Sequence, residues 1–179
     1  MDAHELHFIV DQALATYCRG VDRLDPAIIA EPFHDDALLI DYAPDPVPIG
    51  AFAERVVVSL GDRFYATQHR VSNLSVDLLD DGAARAEAYV LAFHAEDARE
   101  GRRLHTFNGR YIDRYEERGG VWKISRRHLR VDWSSVTPID QPMGGEETWV
   151  PSGGGGPPHP HSDSAPAQPG TAAAPGATR

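Results

Sequence analysis

Leu6, Val10, Ala13, Leu14 and Tyr17 recur at spacings of three and four, so the opening segment predicts an amphipathic helix with one apolar stripe. Gly20 is expected to stop it. Asp25-Pro26 has the form of an N-cap followed by proline at the first helical position, opening a short second helix through Phe33. Ala37 to Tyr42, ALLIDY, reads as a short strand, PDPVPIG as a turn, and Ala51 to Leu60, apolar and free of breakers, as a third helix.

From Thr67 onward the period changes to two. Gln68 to Leu79, Ala83 to Glu96, Arg102 to Glu117 and Val121 to Trp133 predict long strands, joined by DDG, DAREG and RGG, hairpin turns with glycine where positive φ is cheap. In the first of these strands His69 shares parity with Val71 and faces inward, whereas Leu74, Val76 and Leu78 fall on the other parity. A bulge near Ser72-Asn73 reconciles the two. Helices followed by an antiparallel meander, with one early strand, form an α+β pattern. The expected fold is a cone-shaped, curved antiparallel or mixed sheet wrapped around three N-terminal helices, with a pocket between the concave sheet and the helices.

Length and composition bound this picture. A chain of 179 residues is long enough for one domain with a real core and short for two. Residues 151–179 hold seven of the 14 prolines, a glycine run and almost no large apolar side chains, so they predict a disordered, dispensable tail. The folded domain is placed at 1–140, with an unassigned extension at 141–150. The net charge of −10 lies in the folded part, because Asp163 and Arg179 cancel in the tail. An acidic domain is a poor nucleic-acid binder. Arg126, Arg127 and Arg130, near Lys123, do form a local basic cluster, but it lacks interleaved aromatics for base stacking. Cys18 is the only cysteine, which fits a reducing compartment. The N-terminal segment is broken by Glu5, His7, Asp11 and Gln12, unlike a signal peptide, and no apolar stretch reaches bilayer length. A soluble, cytoplasmic protein with neither membrane nor nucleic-acid partner is expected.

The fragments YCRGVDRLD, IDY, TQHRVSN, AYVLAFH and LHTFNGRYIDRYEERGGVWKISRR, with a closing tryptophan, resemble the nuclear transport factor 2-like superfamily, and within it the SnoaL-like and scytalone dehydratase branch. The resemblance spans Leu6 to Trp133. Its GRYIDRYEERGGVWKI hairpin marks the fold and says little about chemistry, since binding-only members carry it too. The resemblance implies one pocket lined by Asp22, Tyr42, His69, His94 and Asn108, with Thr106 in place of a family serine. Val21 stands where the dehydratases have a second tyrosine, and Arg127 is similar to the pocket arginine of the related hexachlorocyclohexane dehydrochlorinase. The substrate does not carry over.

These residue types have a chemical rationale of their own. Removing a proton next to a carbonyl needs a base whose pKa lies near the working pH, which neutral histidine supplies. Asp22, accepting from one ring nitrogen of His69, would fix the tautomer and stabilise the imidazolium formed. Tyr42, Asn108 or Arg127 could donate to the enolate oxygen. The expectation is a cofactor-independent dehydratase acting on a hydroxylated carbonyl or polyketide-like molecule. His69 is its base, Asp22 the partner, and His94 an acid/base or water-holding group.

Other readings stand beside this one. The same machinery fits a polyketide cyclase or a ketosteroid-isomerase-like enzyme, and the fold also serves as a non-catalytic binding module. Asp22 could be a loop carboxylate paired with Arg19 or Arg23, Tyr42 a core tyrosine, and Asn108 a structural hydrogen bonder. Only one of Arg126 and Arg127 can point inward. His34, His105 and His128 are left as surface or core residues. No metal is expected, because Asp22, His69 and His94 are far apart in sequence, whereas iron triads commonly hold two ligands close together. The convex sheet face needs cover, which suggests a homodimer or homotrimer.

Overall fold

In a computed structural model the described residues are 2–139. The extension at 141–150 and the tail at 151–179 lie outside them. Helix α1 (Ala3–Arg23) opens on Asp2, whose side chain accepts from the Glu5 N–H, and buries Leu6, Val10, Leu14 and Tyr17, the predicted stripe. It does not stop at Gly20. That glycine sits where α1 crosses α2 (Pro26–Ala30), and a Cβ there would lie 2.6 Å from the backbone nitrogen of Ile29. The helix ends instead at Leu24, in the left-handed conformation (φ 54°), whose N–H reaches back to the Gly20 and Val21 carbonyls. Asp25 caps α2 as expected, through the Ala27 and Ile28 N–H groups, but α2 closes at Ala30 and Phe33 already belongs to β1 (Phe33–Ile40).

A two-residue strand β2 (Val47–Pro48) precedes α3 (Ile49–Arg63). The four long strands follow: β3 (Ala66–Leu78), β4 (Ala84–Ala98), β5 (Gly101–Arg118) and β6 (Val121–Pro138). They form one six-stranded sheet in the order β2-β1-β6-β5-β4-β3. The β3-to-β6 meander is antiparallel, and β1 joins β6 in parallel, which makes the sheet mixed. The register of β3 against β4 shifts between Ser72 and Ser75, and Asn73 has φ 52°. The bulge therefore falls where the change of apolar parity requires it.

The core lies between the helices and one sheet face. Leu6, Val10, Leu14 and Tyr17 of α1 pack with Ala84, Ala86, Ala88 and Val90 of β4 and with Tyr111, Tyr115 and Ile124. Helix α1 packs along β3, and its last turn reaches Thr67 and His69 there. No helix among the described residues is long and apolar enough to cross a membrane.

Candidate active site

Asp22 stands in the last turn of α1, beside the first residues of β3. A carboxylate at a helix C-terminus sits at the negative end of the dipole, a placement that costs about 0.3–1 kcal/mol. Three hydrogen bonds offset it. Oδ1 accepts from His69 Nδ1 at 2.7 Å and from Thr67 Oγ1 at 3.0 Å, and Oδ2 accepts the backbone N–H of His69 at 3.0 Å. Since a carboxylate only accepts, Nδ1 carries the proton and Nε2 keeps the lone pair of the neutral ring. The His69 side chain is 9% exposed.

His94 lies on the neighbouring strand, its ring 5.2 Å from that of His69 in an edge-to-face arrangement. Burial first, then the neighbouring His69 and His105, bring the His94 imidazole down to about 4. His94 is thus neutral near pH 7. The ring of Phe64, just past α3, packs against His94 at 5.0 Å and against His105 at 5.3 Å.

His105, which the sequence pattern left unassigned, belongs to this cluster. Directly opposite residues of paired strands share a face, and His94 pairs with His105. His105 Nε2 donates to Glu96 Oε2 at 2.6 Å, and Arg63 Nε donates to Glu96 Oε1 at 3.2 Å. The available signal was the hairpin length. Counting back from a two-residue turn at Arg99-Glu100 puts 94 opposite 105, as observed; counting from DAREG as a five-residue turn does not.

The same register corrects two site residues. Thr106 pairs with Phe93 and Asn108 with Leu91, one position out of step with His94 and His105. Both therefore project from the face opposite His69, His94 and Asp22. Asn108 Nδ2 is buried there with no hydrogen-bond partner among the described residues, on the strand face it shares with Trp133.

Tyr42 and Arg127 form a second polar group, deeper in the core. Tyr42 lies two residues beyond the end of β1, not within it, and its ring packs on Phe52 at 4.9 Å. Arg127 is fully buried, while Arg126 is exposed, so the basic run of the sequence is not one surface cluster. The Arg127 guanidinium is held at 2.8 and 2.7 Å by both oxygens of buried Asp113, and lies over the rings of Tyr111 and Tyr17 at 4.1 and 4.3 Å. Burial is the largest single influence and opposes its charge, but the charge and hydrogen bonds of Asp113, with Tyr42 and Tyr17, hold its pKa well above the ordinary value. Burial also drives the hydroxyls of Tyr17, Tyr42 and Tyr111 up, and the Cys18 thiol to about 12. Cys18, one helical turn before Asp22, feels both Asp22 and Arg127, so α1 links the two groups. The Tyr42 hydroxyl and Arg127 Nη1 are buried with no hydrogen-bond partner among the described residues.

Among the described residues no three His, Cys, Asp or Glu side chains converge as metal ligands. A separate groove of about 470 Å³ is lined by Arg114, Glu116, Arg118 and Arg126 among others, and none of Asp22, Tyr42, His69, His94, His105 or Arg127 lines it. Its Arg114 and Arg118 are already paired with Asp81, Glu116 and Asp36.

The mixed sheet curled over N-terminal helices is the nuclear transport factor 2-like fold, as the solved structures it matches confirm. The SnoaL-like domain model matches residues 9–128, and the chain belongs to that family. A provisionally named scytalone dehydratase from Novosphingobium aromaticivorans superposes with a TM-score of 0.60 at 24% identity, over 74% of this chain and 92% of the other. A provisionally named aromatic ring hydroxylase from the same organism gives 0.65 at 20%, over 76% and 96%. The hexachlorocyclohexane dehydrochlorinase LinA type 3 from Novosphingobium barchaimii gives 0.63 at 20%, over 77% and 99%. At these identities the likeness concerns the fold, and the three names already differ in chemistry. No curated protein matches the sequence.

Proposed function

We propose that this SnoaL-like protein is a small-molecule lyase that eliminates water from a β-hydroxy carbonyl compound without a cofactor, His69 being the general base. The observation that carries this reading is the Asp22–His69 pair, 2.7 Å between Oδ1 and Nδ1, with the carboxylate locked at both oxygens. A binding-only pocket has no need of a carboxylate oriented on a histidine ring at the cost of its place at a helix C-terminus. Nε2 takes the proton next to the carbonyl, and Asp22 stabilises the imidazolium that results. Negative charge then develops on the carbonyl oxygen. The Tyr42 hydroxyl and Arg127 Nη1, buried donors with no hydrogen-bond partner among the described residues, are the groups assigned to receive it. Neutral His94 can hold substrate or water beside the base without competing for the proton.

The test separates the base from everything else. In D2O, 1-tetralone, which has no β-hydroxyl to lose, should exchange its α-protons with the protein and stop doing so in His69→Ala. A wild-type protein that neither exchanges 1-tetralone nor dehydrates any of a panel of β-hydroxy ketones led by 3-hydroxy-1-tetralone would overturn the reading.

A further inference from the structure

The site contains a second carboxylate–histidine pair. Glu96 Oε2 accepts from His105 Nε2 at 2.6 Å, and Glu96 is itself fixed from the other side by Arg63 at the end of α3. Glu96 has its pKa lowered, first by the His105 hydrogen bond. The pair is arranged like Asp22 and His69 with the ring nitrogens exchanged: there Nδ1 is held and Nε2 is free, here Nε2 is held and Nδ1 has no partner among the described residues. Both rings stand on one sheet face, on strands two apart, with His94 between them.

We propose that His105, held by Glu96, is the general acid that protonates the departing hydroxyl. This rests on the lyase reading above. An elimination needs a base at one carbon and an acid at the oxygen on the next, and His94 cannot be that acid while it stays neutral. The carbons that lose hydrogen and hydroxyl are adjacent, so His69 and His105 act on one bond held over His94, whose ring lies 5.2 Å from that of His69 and which pairs with His105. His69 Nε2 takes the α-proton, and the C–H electron pair becomes the new double bond. The C–O bond breaks toward oxygen, which takes the Nδ1 proton of His105 in its doubly protonated form, Nε2 keeping its own proton on Glu96, and leaves as water. His69 then releases its proton to solvent and His105 regains one, so nothing else is consumed. Exposure fits the roles: the His69 side chain is 9% exposed and that of His105 21%, so the group beside which water departs is the wetter one.

A purely structural Glu96–His105 pair, tying α3 to β4 and β5, is the competing account, and leaving-group chemistry distinguishes them. His105→Gln and Glu96→Gln are compared with wild type on 3-hydroxy-1-tetralone, whose hydroxide needs protonation, and on 3-acetoxy-1-tetralone, whose acetate does not. The expected result for His105→Gln is a loss of about 10²–10⁴-fold in kcat on the hydroxy ketone. On the acetoxy ketone the loss should be under about tenfold, and α-proton exchange of 1-tetralone should persist. Glu96→Gln should show the same selectivity more weakly. Equal losses on both ketones, or none on either, would overturn the role of His105 and leave the base intact. Absence of exchange and of elimination in the wild-type protein would instead overturn the lyase reading and this inference with it.

Discussion

Asp22 holds His69 at two points, Oδ1 on the ring N–H at 2.7 Å and Oδ2 on the backbone N–H at 3.0 Å. A carboxylate that grips both the ring and its own strand leaves the imidazole little freedom to turn. His69→Ala should therefore lower kcat by about 10²–10⁴-fold with little change in KM, since the interaction lost belongs to the transition state. Asp22→Asn should do much the same. The double variant should be little worse than the worse single, because the pair acts as a unit. Steady-state rates of the four proteins on 3-hydroxy-1-tetralone check this, and additive losses would refute it.

His94 supplies a pH prediction. Its folded pKa is lowered to about 4 from the ordinary 6.5, so below pH 6.5 the unfolded chain takes up a proton that the folded chain refuses. Stability is free of this penalty above 6.5 and falls as pH drops toward 4. At pH 4.5 the penalty is on the order of 2–3 kcal/mol. Urea denaturation of wild type and His94→Gln at pH 7.5 and 4.5 should show the variant losing less on acidification by about that amount. Equal losses would show that His94 titrates normally.

The Arg127–Asp113 pair is buried on both sides, with side chains 0% and 1% exposed. Breaking such a pair from one side leaves an uncompensated charge and costs about 3–5 kcal/mol. Asp113→Asn and Arg127→Met should each lose stability of that order, and the double variant less than the sum. Chemical denaturation measures it.

Gly20→Ala tests the α1–α2 crossing. Alanine gains about 1 kcal/mol of helix propensity over glycine. Against this, its Cβ would lie 2.6 Å from the nitrogen and 3.0 Å from the Cα of Ile29, backbone atoms that cannot swing aside. Overpacking of this kind costs about 1–3 kcal/mol. Net destabilisation is expected, read as a lower melting temperature. A more stable variant would mean that the helices separate easily.

Trp133 and Val136 at the end of β6 are 57% and 55% exposed. β6 pairs with β1 only as far as His128, so this end has a neighbour on the β5 side alone. We propose that a second or third copy of the chain covers it, as a homodimer or homotrimer. Sedimentation should give that mass at micromolar concentration, and Trp133→Glu should shift it to the monomer. A monomeric wild type would end the idea.

The sequence determined its own local periods. The α1 stripe, the Asp25-Pro26 start of α2, the four long strands, the bulge at Ser72-Asn73 and the inward parity of His69 all follow from patterns a few residues long, and the structure agrees with each. The link between Asp22 and His69, 47 residues apart, came from family resemblance and not from any local pattern. Tertiary structure decided what depends on how distant pieces meet. Gly20 reads alone as a breaker, yet it is the contact point of two helices. Arg126 and Arg127 are equivalent in sequence, and only the placement of Asp113 shows which is inside. The sharpest case is the hairpin between β4 and β5, where DAREG does not state its own loop length. Because side chains alternate with period two, a one-residue difference there exchanges the faces of a whole strand. It removes Thr106 and Asn108 from the site and brings in His105.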